Sequence, residues 1–129
     1  QSDAILSLVD MAPSFLGAAG LSADWGISGA DQTTVWTGTV EAVRDHAIVE
    51  NRHEPTTIHT RTFVDQTHKL TVHYGRDEGE LFDLQQDPQE IDNHWSDPGW
   101  ADLKAELTRR LLHAELGKEP LVMPRIAGA

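Results

Sequence analysis

Hydrophobic and polar residues alternate through the middle of the chain, between residues 46 and 84. Alternation with a period of two is typical of strands that bury one face. The pattern predicts four strands, at residues 46–50, 57–64, 69–74 and 80–84. Because the second and third strands are separated only by residues 65–68, a hairpin length, we expect consecutive strands to pair antiparallel.

A helical pattern follows the strands, with apolar residues recurring every three or four positions. It predicts a helix over residues 99–116, opened by Asp97-Pro98 and ended by Gly117. The apolar stripe of this helix consists of Trp100, Leu103, Leu107, Leu111 and Ala114. We therefore expect the helix to cover one face of the sheet. Prolines in the tail after Gly117 argue against continuous helix there.

The first forty residues contain a second predicted helix. Asp10 stands where an N-cap residue is expected, and Gly20 stands where a helix would end. Residues 22–38 are rich in Gly, Ser and Asp, which predicts a connection with one short helical turn around Val35-Trp36. The predicted fold class is therefore α+β: a lead-in helix, a four-stranded antiparallel sheet and a C-terminal helix packed on it.

The N-terminal segment carries more large apolar side chains than this small sheet can cover. They are Ile5, Leu6, Leu8, Val9, Met11, Phe15, Leu16 and Leu21. Leaving them in water would forgo on the order of 10 kcal/mol of burial free energy. We therefore expect this surface to pack against a part of the protein that lies outside the predicted sheet.

Composition excludes several classes of partner. The 129 residues suit one ordinary domain, and no apolar run approaches the length that spans a bilayer. A net charge of −11 disfavours nucleic acid and anionic membranes, so neither is a predicted partner. The basic side chains concentrate between residues 44 and 76, where an anion could be met. The chain has no cysteine, which excludes disulfides and thiolate metal sites.

The segment GELFDLQQDPQE, residues 79–90, carries enough carboxylates to suggest a metal loop or an acid/base pair. Glu80 and Asp83 lie three apart on a predicted strand and would therefore point to opposite faces. Asp87 precedes a proline, in a turn position that aspartate favours for its own hydrogen bonds. The spacing does not match a calcium loop. A strand running into a turn is the favoured interpretation, and no metal ligand is predicted.

Histidine is the next candidate, because seven in one small chain could indicate a metal site or a general base. The spacing of these histidines supplies no third ligand, so a surface or structural role is favoured for each. Two arginines and two histidines flanking a proline-containing turn are more suggestive, as a cluster that contacts an anion by charge-assisted hydrogen bonds. These candidate substrate-binding residues are Arg52, His53, His59 and Arg61.

No catalytic residue is predicted. The serines lack the G-x-S-x-G turn that presents a nucleophile. The glycine-rich patterns that bind nucleotides are absent as well. The triplet Asp92-Asn93-His94 stands before a helix, where Asx residues usually form turns.

Several segments, in order, resemble sulfatases. SDAILSLVDMAPSFLGAAGL is similar to the late part of the sulfatase catalytic domain, and RTFVDQTHKLTVHY resembles a hairpin of that family, in which Lys69 matches a lysine that we interpret as structural. GELFDLQQDPQEIDNHW resembles the strand and turn that follow, and GKEPLVMPRIAGA resembles the end of one bacterial subgroup. The resemblance covers nearly the whole chain and is weakest from residue 22 to residue 41.

The resemblance implies only the C-terminal quarter of such an enzyme. Sulfatases hydrolyse sulfate esters with a formylglycine made in a C/S-x-P-S-R motif, beside a calcium or magnesium ion. The nearest match here has Met11 at the convertible position and Phe15 in place of the arginine. We therefore expect no cofactor in this segment, residues 1–38 to end the catalytic domain and residues 39–129 to form the C-terminal subdomain.

Two functions remain open from the sequence. In the first, the segment supports the catalytic domain of a parent sulfuric ester hydrolase and lines its cleft, with the four basic residues above contacting the anionic substrate. Alone it would be inactive. In the second, it is a stand-alone, non-catalytic binding module derived from a sulfatase tail.

Overall fold

The computed structural model describes residues 2–22, 27–53 and 57–118. Four strands form one antiparallel sheet in the order in which they occur: β1 (Ala47–His53), β2 (Ile58–Val64), β3 (His68–His73) and β4 (Gly79–Asp83). The helices are α1 (Met11–Ala18), α2 (Thr33–Trp36) and α3 (Ala101–Leu116), with short 3-10 turns directly before α1 and α3. This arrangement confirms the predicted α+β fold.

Element bounds differ little from the prediction, except in β1. That strand continues three residues beyond the predicted end, to His53, because it pairs with the full length of β2. In the described ranges, no helix combines the length and the apolar character needed to cross a bilayer. The tail from residue 119 onward, with its predicted non-helical conformation, lies outside the described residues.

The core lies between α3 and one face of the sheet. Phe63 stands opposite Ile48 of β1 and Leu70 of β3, and Leu70 stands opposite Leu81 of β4. Because alternate residues of a strand share a face, these side chains form one apolar layer. From α3, Leu107 and Leu111 complete the layer, as the predicted stripe requires. We call the side of the sheet that carries this layer the helix face.

The start of α3 follows the predicted signal. The side chain of Asp97 accepts a hydrogen bond from the backbone N–H of Gly99 (2.8 Å), and Pro98 opens the 3-10 turn that leads into the helix. Proline suits this position because its missing N–H would have no helical partner there.

The end of α1 is also as predicted. Gly20 adopts a left-handed conformation with φ of 73°. Its N–H donates to the carbonyl of Gly17 (3.0 Å), and the N–H of Leu21 donates to that of Leu16 (2.9 Å). These two bonds are the Schellman arrangement that closes a helix at glycine.

Asp10 occupies the N-cap position of α1, as predicted, but its side chain does not cap that helix. Its backbone is already helical. The carboxylate instead turns inward, where it is completely buried. Most of the hydrogen bonds that it accepts come from residues distant in the sequence. One oxygen accepts from Ser7 N–H at 2.9 Å, which satisfies the preceding 3-10 turn rather than α1.

Asp10 is the centre of a buried polar cluster that holds the N-terminal segment together. Its other bonds come from Ala30 N–H (2.8 Å), from Gln32 Nε2 (3.0 Å) and from the guanidinium of Arg44, which is ion-paired to it. The hydroxyl of Ser14 accepts from Gln32 N–H (2.9 Å). The cluster therefore ties α1 to the connection that follows it and to the approach to β1.

The expected excess of apolar surface is present in the N-terminal segment. Leu8 is 89% exposed, and several neighbouring apolar side chains are half exposed or more. The exposed group, which we call the N-terminal apolar surface, consists of Leu6, Leu8, Val9, Phe15 and Leu21. Several large exposed apolar side chains within one short segment indicate a contact with another part of a protein.

The β2–β3 hairpin is held by a carboxylate. Asp65 is almost completely buried, and its oxygens accept hydrogen bonds from three groups of the turn and from α3: Thr67 N–H (2.9 Å), Thr67 Oγ1 (2.9 Å), His68 N–H (2.8 Å) and Arg110 Nη1 (2.6 Å). Burial alone would raise the pKa of Asp65, but these hydrogen bonds outweigh it and hold the pKa below its ordinary value.

This lowered pKa predicts a loss of stability in acid. Because the folded-state pKa lies below the unfolded value of about 3.9, the stabilisation is complete above that pH and is lost as pH falls through the folded pKa. We expect Asp65→Asn to lower the free energy of unfolding at about pH 5 and to lower it much less at about pH 2.5. Urea unfolding at both pH values, with the exposed Asp3→Asn as control, checks this. If Asp65→Asn lowered the free energy of unfolding equally at both pH values, the expected pH dependence would be contradicted.

Candidate functional site

The carboxylates of residues 79–90 serve the turn itself, as the sequence interpretation favoured. One oxygen of Asp83 accepts from the N–H groups of Gln85 (2.9 Å) and Gln86 (3.0 Å). One oxygen of Asp87 accepts from the N–H groups of residues 91 (2.6 Å) and 92 (2.8 Å). Glu90 has the positive φ of 58° and forms an ion pair with Lys69, which agrees with a structural role for that lysine.

Asn93, which follows this turn, completes the edge strand β4. Its side-chain oxygen accepts from the N–H groups of Leu81 (3.0 Å) and Trp95 (3.0 Å), and its Nδ2 donates to the carbonyl of Gly79 (3.0 Å). The amide therefore pairs with backbone groups along β4 that no further strand meets in the described part of the sheet. This is the turn-forming role that the sequence suggested for Asp92-Asn93-His94.

The described residues do not fit a metal site. Across residues 2–22, 27–53 and 57–118, no three His, Asp or Glu side chains converge as a metal ion would require. Calcium and magnesium need several oxygen ligands. No reaction step through a metal ion is therefore assigned to these residues.

The candidate basic residues divide between the two faces of the sheet. His59 and Arg61 alternate with Phe63 along β2, so they lie on the helix face. Arg52 stands opposite His59 and therefore lies on the same face. His53 is the neighbour of Arg52 along β1 and so points to the other face. The structure thus brings three of the four together.

Arg61 belongs to a charge network that joins the sheet to the end of α3. Its Nη2 lies 3.2 Å from Glu50 Oε2, and its Nε lies 3.4 Å from Glu115 Oε1. Lys118 contacts the same two carboxylates, at 2.6 Å and 2.7 Å. The hydrogen bond from Lys118 lowers the pKa of Glu50 below its ordinary value. The charge of Arg61 is therefore largely balanced within the subdomain.

Arg52 and His59 lie two residues farther along their strands, beyond this network. Nη2 of Arg52 is 3.4 Å from Nε2 of His59. The ring of Tyr74 lies on the other side of His59, with ring centroids 5.2 Å apart, and the N–H of Tyr74 donates to the carbonyl of His59 (2.8 Å). Arg52 of β1, His59 of β2 and Tyr74, which directly follows β3, thus form one row, which we call the Tyr74 row.

Sequence reasoning did not identify Tyr74 as a site residue. It is the only tyrosine in the chain and is 77% exposed, although it continues the helix-face alternation of Leu70 and Val72. The signal that could have found it is the hairpin register: with Thr60 opposite His73, the next pair outward is His59 and Tyr74.

The opposite face of the sheet forms a shallow groove. A space of about 510 Å³ lies over Val49, Ile58, Thr60 and Thr62 and reaches the ion pair of Lys69. The hydroxyls of Thr62 and Thr71 bond to each other across two strands (3.0 Å). These threonines satisfy each other's hydroxyl groups, while the charged lining of the groove consists of the Lys69–Glu90 pair and Glu80.

A family model matches most of this chain. A model of the C-terminal region of N-sulphoglucosamine sulphohydrolase matches residues 1–116. No curated protein matches the chain at a significant level.

Solved structures with the same fold include several sulfatases. BT4656, solved in complex with its substrate D-glucosamine-2-N,6-O-disulfate, superimposes with a TM-score of 0.77 at 26% identity, over 85% of this chain and 24% of its own. A putative sulfatase from Bacteroides thetaiotaomicron gives 0.76 at 21% identity, over 86% of this chain and 25% of its own. Phosphonate monoester hydrolase of Agrobacterium radiobacter superimposes with a TM-score of 0.71 at 21% identity, over 84% of this chain and 24% of its own.

The two likenesses at 21% identity support the fold alone. The chain spans about a quarter of the length of these structures. Its α+β architecture, the sulfatase-like order of its segments and the family match along residues 1–116 agree with one another. The chain therefore belongs to the sulfatases, in the family formed by the C-terminal region of N-sulphoglucosamine sulphohydrolase.

Proposed function

We propose that this chain is the C-terminal part of a complete sulfuric ester hydrolase, in which it supports the catalytic domain and borders the substrate cleft. The family match along residues 1–116 carries this proposal, together with the chain's quarter share of the structures it resembles. The formylglycine and the calcium or magnesium ion of such an enzyme would be held by the rest of the parent.

The catalytic domain of the parent is the proposed partner of the N-terminal apolar surface. Residues 1–38 would end that domain, and residues 39–129 would form the subdomain attached to it. Two observations support this division. Leu8 and Phe15 are largely exposed, and the segment is joined to the sheet region through polar contacts such as Asp10 with Arg44. Burial of this surface against the catalytic domain would recover the free energy lost to its exposure.

Dye binding by the 129-residue chain separates this function from a stand-alone module. We expect strong fluorescence with a hydrophobic dye or self-association, because the N-terminal apolar surface lacks its partner. Replacing Leu8 and Phe15 together by serine should remove most of the signal. The matched control, Ile91→Ser, changes a residue that is 72% exposed elsewhere and should leave the signal unchanged. A monomeric chain that binds little dye would favour the module.

Contact with the anionic substrate is the proposed role of Arg52, His53, His59 and Arg61. Arg52 and His59 would make the direct contact; the support for this is that both lie beyond the charge network at the end of α3. Arg61 would act mainly by holding that network, and His53 would face the cleft from the opposite side of the sheet. The ligand named for BT4656 and the name of the family favour a sulfated glucosamine as the substrate class.

A further inference from the structure

We infer that the Tyr74 row is a carbohydrate subsite, which binds a sugar ring on Tyr74 and an anionic group of the same saccharide through Arg52 and His59. This inference rests on the proposed function and adds a specificity-determining residue, Tyr74, to it.

The position of the row is set by where α3 ends. The charge network of Glu115 and Lys118 holds the end of α3 over Glu50 and Arg61. The Tyr74 row lies two residues beyond that pair, or roughly 7 Å along the strands. Within the described residues, α3 does not reach it, so Arg52 and Tyr74 are both left exposed.

The aromatic side chain indicates a ligand with a flat apolar face. A tyrosine offers a rigid apolar ring with a polar tip, and burying it gains free energy at little entropic cost. Tyr74 is held against His59, so its ring is already oriented before any ligand arrives. A pyranose ring has a face of C–H groups that can pack on such a ring while its hydroxyls stay in water.

The charges of the row indicate an anion on that ligand. In the described part of the chain, neither Arg52 nor Arg76 forms a close ion pair with a carboxylate, whereas Arg61 meets two. Arg52 is near enough to Glu50 to help lower the pKa of that carboxyl, but makes no direct contact with it. Arg76 lies near the same end of the sheet, with Nη2 3.5 Å from the carbonyl of Thr57. A guanidinium without a carboxylate partner binds sulfate or carboxylate groups by paired hydrogen bonds.

The size of the row suits a small saccharide. Three neighbouring strands place Arg52 and Tyr74 roughly 10 Å apart, a distance comparable with the length of a disaccharide. The net charge of −11 would repel a long polyanion from the rest of the surface. A short sulfated oligosaccharide is therefore the ligand that the row fits best, and the same charge disfavours nucleic acid.

The test is isothermal titration of the full-length protein with a sulfated glucosamine disaccharide and its desulfated form. Tyr74→Ala should weaken binding of both sugars about tenfold, because both lose the ring contact. Arg52→Ala should weaken binding of the sulfated sugar and have little effect on the desulfated one. The controls Ile91→Ala and Arg109→Ala, at exposed sites outside the row, should bind as wild type. Unfolding temperatures of all variants establish that each is folded.

Hydrolysis of 4-nitrophenyl sulfate by the wild-type protein is measured in parallel and reports on the proposed function separately. If the protein hydrolyses this ester but Tyr74→Ala and Arg52→Ala bind both sugars as wild type does, the subsite is overturned and the sulfatase function stands. If it releases sulfate neither from this ester nor from the sulfated disaccharide, but the two variants lose sugar binding as expected, the function fails and the subsite stands. A wild-type protein that binds neither sugar would overturn the subsite.

Discussion

Replacing Phe63 by alanine is expected to lower the free energy of unfolding by about 3–5 kcal/mol. Phe63 is completely buried at the centre of the core, between the strands and α3. The ring of His46 stacks on it at 5.1 Å, and the guanidinium of Arg110 lies 4.7 Å from its centroid. Removal of the ring leaves a cavity that these neighbours cannot fill without losing their own contacts.

Urea unfolding of the 129-residue chain, followed by tryptophan fluorescence, measures this effect. Val49→Ala is the matched control, because Val49 adjoins Ile48 on β1 but is half exposed on the opposite face. It should cost at most about 1 kcal/mol. Similar losses for the two variants would mean that α3 does not close the core over Phe63.

Replacing Asp10 by alanine is expected to destabilise the N-terminal segment by about 3–5 kcal/mol. The substitution leaves the largely buried Arg44 guanidinium without its carboxylate, and it removes the acceptor for the Ala30 N–H and the Gln32 amide. Buried donors without acceptors are costly because they have lost their water as well. Asp10→Asn, which keeps an acceptor but loses the charge, should have an intermediate effect.

Hydrogen exchange locates this second effect. The Asp10 cluster joins residues 7–44, so amides of α1 and of the following connection should exchange faster in Asp10→Ala while those of β2 and β3 change little. Asp3→Ala removes an exposed aspartate in the same segment and serves as the control. Equal exchange in Asp10→Ala and Asp3→Ala would show that the cluster does not hold the segment.

Periodicity was sufficient to predict the elements whose side chains pack against partners that lie nearby in the sequence or repeat at helical spacing. Phe63 and Leu70 belong to one hairpin, and the stripe of α3 keeps helical spacing, so the sequence predicts both the sheet and the face that the helix covers. Periodicity was not sufficient for Asp10. Three of its partners, Ala30, Gln32 and Arg44, stand 20 to 34 residues away, and nothing in the local pattern distinguishes a buried carboxylate from a helix cap.

The candidate site shows the same limit. The four basic residues were grouped by proximity in sequence, and β1 was predicted to end before Arg52. Alternation was therefore not applied to Arg52 and His53, which the longer strand sends to opposite faces. The charge of Arg61 is balanced in part by Glu115, which lies 54 residues downstream. The residues around Arg61 in the sequence do not indicate this pairing.

Sulfate release by the native protein that carries this sequence tests the central proposal most directly. The protein would be isolated from its source with an antibody against the 129-residue chain and assayed with sulfated glucosamine and 4-nitrophenyl sulfate. If the proposal is right, sulfate is released by a polypeptide roughly four times as long as this chain, because the chain spans about a quarter of the sulfatase structures that it resembles. A polypeptide of 14.3 kDa that releases no sulfate would contradict the proposal and favour the binding module.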